Sequence, residues 1–355
     1  MHHPSTAERT ITYEKLAKQA HAAPELIGMR KMFFFIVLLV GVAFLSSCTP
    51  KASEQPLEQI TVQLAWTHQA QFAGLYAADQ RGLYAAEGLA VTFIEGGVNV
   101  DRLSPVLEGT AQFGIAGADE LILARAQGQP VRAIAVNYRR SPVVFISLAD
   151  MGITRPQDFA GKTIRVTANI SPSLRAMMAR VGIAPDQYTE VTLPSDLDTF
   201  GSGEVPVWGV FLDGFALTAQ QAGYKLNIIY PDDYGVHFYG DTVWATEDFI
   251  AQNPDLVRRF LRATLQGWTY AIENPEEVGT LVAAYNPKAD VALENMRMNV
   301  MLPLINTGED YMGWMKSEVW VGMEATLREQ SVITQPLDVT QIYTLQFLQE
   351  IYEGQ

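Results

Sequence analysis

Apolar and polar positions alternate at the start of the stretch ITVQLAWTHQAQFAGLYAADQRGLYAAEG, residues 60–88, where Ile60, Val62, Leu64 and Trp66 share one parity and Thr61 and Gln63 the other. A period of two puts the four apolar side chains on one face and predicts a strand. Thr67 to Gln71 is polar and reads as a loop. Beyond it Phe72, Leu75, Tyr76, Gln80 and Leu83 recur with helical spacing, which predicts a helix. Strand, polar loop and helix make the opening of an α/β unit, and ligands of open α/β sheets collect at the carboxyl ends of the strands.

The same pattern recurs. Strands are expected at Ala90 to Glu95, Phe113 to Ala118, Val131 to Tyr138, Val143 to Leu148, Ile164 to Ala168, Val205 to Leu212 and Lys225 to Tyr230, with helices near Arg102 to Leu107, Glu120 to Gln127 and Arg175 to Val181. His237 to Trp244 is extended again, whereas 193–204 reads as loop. From Asn253 the chain turns helical. Leu256, Phe260, Leu261, Leu265 and Trp268 form a core face up to about Glu273, a proline helps to start the helix, and further helices follow to Gln355.

The N-terminal region departs from this pattern. Met29-Arg30-Lys31 precedes an apolar run from Met32 to Phe44 and then Leu45-Ser46-Ser47-Cys48, the layout of a secretory signal peptide that is too short for a comfortable membrane span. Residues 1–28 fit no part of that layout and read as an extension ahead of the start. Cys48 is the chain's single cysteine, which excludes a disulfide framework and a cysteine-based metal site. Residues 48–58 are polar and proline-bearing, as a tether should be. The net charge is −14, which argues against nucleic acid as a partner and against electrostatic binding to anionic lipid.

Three blocks carry a resemblance: WTHQAQFAGLYAADQRGLYAAEGL, the run from Phe113 to Ile153, and IIYPDDYGVHFYGDTVWATEDFIAQNP from Ile228 to Pro254. They resemble the bacterial substrate-binding proteins related to ThiY and SsuA, a family that includes riboflavin binders of the RibY type and the yeast pyrimidine synthase of thiamine biosynthesis. Leu-Ser-Ser-Cys likewise resembles a lipobox, which implies a lipid on Cys48. The resemblance implies an α/β, two-lobed periplasmic-binding-protein fold of type II, with a hinge and an interlobe ligand cleft. Lobe one is expected at 57–148 plus 241–355, and lobe two at 149–240. It further implies a monomer held by its lipid on the extracytoplasmic side of the cell membrane, which delivers a small vitamin to an ABC permease and its ATPase.

An enzyme is the rival reading. The synthase of the family uses a cysteine-rich motif, a histidine and a lysine to handle iron and pyridoxal phosphate, whereas this chain has no cysteine beyond Cys48 and carries Gln71-Phe72 where that enzyme has Asn-His. No catalytic residue, metal or cofactor is therefore expected. The binding candidates are the aromatics Trp66, Phe72, Tyr76, Tyr138, Phe211 and Tyr239, the polar groups Gln69, Gln71, Ser141, Asn169, Ser171, Asp213 and Asp241, and the junction Ala118-Asp119. Each aromatic has core packing as its alternative. Asp119 and Ser171 have helix capping, and the glycine turn at Gly96-Gly97 can be a tight turn or a ligand loop. As a set they favour a flat, neutral, polar-edged heterocycle over a sulfonate or phosphate, which calls for an Arg- or Lys-lined pocket. The sequence Gln69-Ala70-Gln71-Phe72 replaces the pyrimidine-type Asn-Thr-Asn-His loop, and the added aromatic suits a larger ring such as riboflavin.

Overall fold

The computed structural model describes residues 56–97 and 100–353. The expected extension, the signal peptide, Cys48 and most of the tether lie outside them.

Among the described residues ten strands form two sheets. In the first, β1 (Glu58–Gln63) pairs in parallel with β2 (Leu89–Ile94) and β3 (Phe113–Gly117). Further along this sheet lies β4 (Val131–Val136). In the second, β5 (Val143–Leu148), β6 (Thr163–Arg165), β7 (Thr189–Val191), β8 (Val207–Phe211) and β9 (Leu226–Ile229) run in the order β7-β6-β8-β5-β9. The chain then returns, and β10 (Asp241–Thr246) inserts between β3 and β4 to give the order β2-β1-β3-β10-β4. Each sheet thus has its antiparallel strand in the fourth position, β10 in one and β5 in the other, and each is the first strand after the chain changes sheets.

That pairing moves one expected boundary. β5 pairs with β8 and β9, so the first crossing falls at 139–142 and the strand Val143–Leu148 belongs to the second lobe rather than the first. Alternation alone could not decide this, because a strand apolar on both faces fits the middle of either sheet. Short elements also go beyond the expectation, among them β7 and the helix Leu197–Gly201 inside the stretch read as loop, where the Asp196 side chain accepts from the N–H groups of Asp198 and Thr199.

The core of lobe one sits between its sheet and the long helix Pro254–Glu273, whose Leu256, Phe260, Leu261, Leu265 and Trp268 are all buried. Phe260 stacks on Phe113 of β3 with ring centroids 3.9 Å apart. The helix crosses Ala73–Gln80 at a contact only glycine permits: a Cβ on Gly267 would lie 2.1 Å from the Gly74 carbonyl oxygen, and one on Gly74 would lie 2.2 Å from Trp268. This locks the helix behind the opening loop against the body of the lobe. The loop is held from below as well, because the Gly96 N–H donates to the Trp66 carbonyl at 3.0 Å and a Cβ there would strike the Ala65 backbone at 2.6 Å. Close packing explains the glycine at position 96.

The helix Val291–Ile305 departs from the expectation that the C-terminal helices pack on lobe one alone. It also packs against the turn Leu212–Ala216 of lobe two. Among the described residues no helix is long and apolar enough to cross a membrane.

Candidate functional site

The carboxyl ends of β1, β3, β8 and both crossings open onto one cavity of about 370 Å³ between the sheets. This is the volume range of small-molecule sites. Eleven of the fifteen expected binding residues line it: Trp66, Gln69, Gln71, Asp119, Tyr138, Ser141, Asn169, Phe211, Asp213, Tyr239 and Asp241. Trp66 and Phe211 are the exposed aromatics of this group, at 37% and 40%, one from each lobe.

Four expected residues lie elsewhere. Phe72 and Tyr76 are fully buried. Tyr76 stacks on Tyr285 at 4.4 Å, and its hydroxyl meets His68 Nδ1 at 2.8 Å. Their spacing of four residues is that of a helix face, and this face looks into the core rather than the cleft. Ala118 is buried and uses its N–H on the Gly240 carbonyl at 3.2 Å. Ser171 opens the helix Ser171–Arg180 and donates its hydroxyl to Glu190. Its neighbour Ser173 lines the cavity instead.

Asp119 is not an N-cap. The helix begins at Ala118, Gly117 occupies the cap position without a side-chain bond, and Asp119 sits in the first turn with its carboxyl at the cavity. Tyr138 and Tyr239 contribute mainly ring surface, because their hydroxyls are engaged. Tyr138 donates to the Gln71 carbonyl at 3.3 Å, and Tyr239 accepts from the Lys316 N–H at 2.8 Å.

Two arginines reach the cavity that the sequence reading had not placed there, Arg102 and Arg297. Each arrives already paired. Arg102 is bound by Glu120, with Nε donating to Oε2 at 2.9 Å, and Arg297 is bound by Glu294 at 3.1 Å. The local signal for the second pair is a Glu and an Arg one turn apart in the apolar helix VALENMRMNVMLPLI, a spacing that brings side chains together. Glu294 also accepts the Ala70 N–H at 2.7 Å, which ties the helix to the opening loop.

The carboxyls set the electrostatics. Burial pushes Asp241 up to about 7, helped by the neighbouring charges of Asp213 and Glu120 and opposed by the hydrogen bond from Gln71. Burial raises Asp119 to about 6, with Glu120 adding to it. Asp213 is raised by burial as well, against the pull of Arg297. Desolvation disfavours the charged form of each, and like charges add to that. Both guanidinium groups in the cavity lining are paired with glutamates, whereas a sulfonate or phosphate site needs unpaired cations. Ligand groups that donate N–H or O–H are favoured.

The comparisons with known proteins agree with this architecture. The chain is 26% identical over 315 residues to the riboflavin-binding protein RibY of Chloroflexus aurantiacus, covering 85% of this chain and 90% of that protein. It is 26% identical over 320 residues to the formylaminopyrimidine-binding protein of Halalkalibacterium halodurans, covering 86% and 96%. Among solved structures, the periplasmic aliphatic sulphonate binding protein SsuA of Escherichia coli superposes with a TM-score of 0.66 at 15% identity, over 80% of this chain and 91% of that one. The fold is the two-lobed periplasmic-binding-protein fold that the three sequence blocks implied. The model of the family described as NMT1/THI5 like matches residues 69–278, and the chain belongs to that family.

Proposed function

We propose that the protein is the extracytoplasmic receptor of an ABC importer and that its ligand is a flat heterocyclic vitamin, riboflavin. The observation that carries this reading is the pair of exposed aromatic rings, Trp66 on lobe one and Phe211 on lobe two, in a cavity whose polar lining includes the carboxyls of Asp119, Asp213 and Asp241. A large planar ring stacks on such surfaces while its polar edge meets the carboxylates. Ligand that touches both lobes stabilises the closed form to the extent of its differential contacts. The closed receptor, a monomer held to the membrane through a lipid on Cys48, presents the vitamin to the permease and its ATPase, and no covalent step occurs.

A pyrimidine precursor of thiamine is the second reading. It is favoured by the formylaminopyrimidine-binding relative and by carboxylates suited to accept from an amino group. Titration of the protein with riboflavin, followed by flavin fluorescence, and in parallel with hydroxymethylpyrimidine and its formamido precursor, separates the two. Quenching that saturates at one flavin per chain supports the first reading. A calorimetric signal from a pyrimidine without flavin quenching replaces it with the second.

A further inference from the structure

One wall of the cavity is a chain of hydrogen bonds with a fixed direction. Arg297 can only donate, and its Nη1 donates to Gln69 Oε1 at 2.7 Å. Gln69 is left to donate through Nε2 to Gln71 Oε1, again at 2.7 Å, and Gln71 then donates through its own Nε2 to Asp241 Oδ2 at 2.7 Å. A carboxamide carries donors on nitrogen and acceptors on oxygen, so neither glutamine can turn over without breaking two of these bonds. Glu294, which holds Arg297, anchors the donor end.

Each end has an unused group. Arg297 Nε is buried with no acceptor among the described residues. At the other end, Gln71 uses one oxygen of the Asp241 carboxyl, and no described residue donates a hydrogen bond to the second. Asp241 lines the cavity as the first residue of β10 in the lobe-one sheet, directly after Gly240, where the chain arrives from lobe two.

The geometry points to Asp241 as the specificity-determining residue that reads a ring N–H of the ligand, with Arg297, Gln69 and Gln71 as positioning residues that keep its carboxyl facing the cleft as an acceptor. The complementary ligand edge presents a ring N–H to that oxygen. This assignment rests on the flavin reading, because isoalloxazine carries such an edge at N3. Methylating that nitrogen removes the donor and leaves the stacking surface intact.

The test compares riboflavin with 3-methylriboflavin on the full chain by fluorescence titration, and repeats the pair on Asp241→Asn and Arg297→Met. The wild-type protein is expected to bind the methylated flavin roughly 10- to 100-fold more weakly, the range for losing a hydrogen bond to a charged group. Asp241→Asn keeps an acceptor for Gln71 but adds a donor to the site, and discrimination should fall to within about threefold, less than half of one tenfold step. Arg297→Met frees both glutamines to turn and should shrink discrimination as well, which a purely structural role would not do. Equal affinity of the wild-type protein for the two flavins overturns the assignment and leaves the flavin reading in place. Unchanged discrimination in Asp241→Asn also overturns it. Absence of saturable riboflavin binding to the wild-type protein overturns the flavin reading and the assignment together.

Discussion

The two walls of the cleft are built differently. On lobe one the polar side chains are tied to each other: Arg102 to Glu120, and Glu294 through Arg297, Gln69 and Gln71 to Asp241. On lobe two the described groups make fewer side-chain bonds to one another. Phe211 is exposed at the cavity, the Asn169 side chain accepts from Thr167 and from no other described residue, and the Asp213 carboxyl is met by its own N–H and the charge of Arg297. A preorganised wall loses little freedom when a ligand binds, whereas a wall of few contacts is free to adjust on closing. Under the proposed reading, lobe one recognises and lobe two clamps.

The largest expected effect tests the rigidity of lobe one. Glu294→Leu leaves the Arg297 charge without its carboxylate and the Ala70 N–H without its acceptor. Breaking a buried pair from one side is expected to cost about 3 kcal/mol of stability, read as a lower midpoint in urea unfolding. A loss well under about 1 kcal/mol, the value of an exposed pair, would mean that the wall is not preorganised in solution. The next effect tests the clamp. Phe211→Ala removes a ring that is 40% exposed, so the unfolding midpoint should stay within about 0.5 kcal/mol of the parent. Affinity should fall about tenfold or more, as when an aromatic anchor is truncated. A drop in stability matching the drop in affinity would sink the division between the walls.

How much of this was legible depends on how far apart the cooperating residues lie. The strand, loop and helix at residues 58–80 follow from local periodicity, as does the core face of Pro254–Glu273. Trp66 and Phe72 looked alike in sequence, both aromatic beside a polar loop. They differ because the chain bends after β1 and leaves Trp66 exposed at the cleft, off the buried face of Ile60, Val62 and Leu64, whereas Phe72 begins a helical face turned inward. Arg297 is the opposite case. It meets Gln69 from 228 positions away, and nothing near Gln69 announces an arginine. The first crossing was misplaced for a related reason, since β5 gains its sheet from partners more than sixty residues downstream, at Phe211 and Ile229.

The remaining effect concerns the stability that Asp241 takes away. Its folded-state value of about 7 lies above the ordinary carboxyl value of 3.8, so between these two pH values the folded protein binds more protons than the unfolded chain. Stability from this group therefore falls as pH rises through the window. The penalty is absent below about 4 and complete above about 7. Asp241→Asn removes the charge while keeping an acceptor for Gln71, so its stability relative to wild type should improve from pH 5 to pH 8. Asp119, raised to about 6, adds a similar slope that both proteins share. Urea midpoints at the two pH values check this, and a difference that does not change with pH would mean that Asp241 is not held against its own desolvation. If the carboxylate is the form that accepts the ligand N–H, riboflavin affinity of the wild-type protein should also weaken as pH drops from 8 to 6. Under the proposed reading, Asp241 lowers stability over the same pH range in which its carboxylate binds best, and so serves recognition rather than the fold.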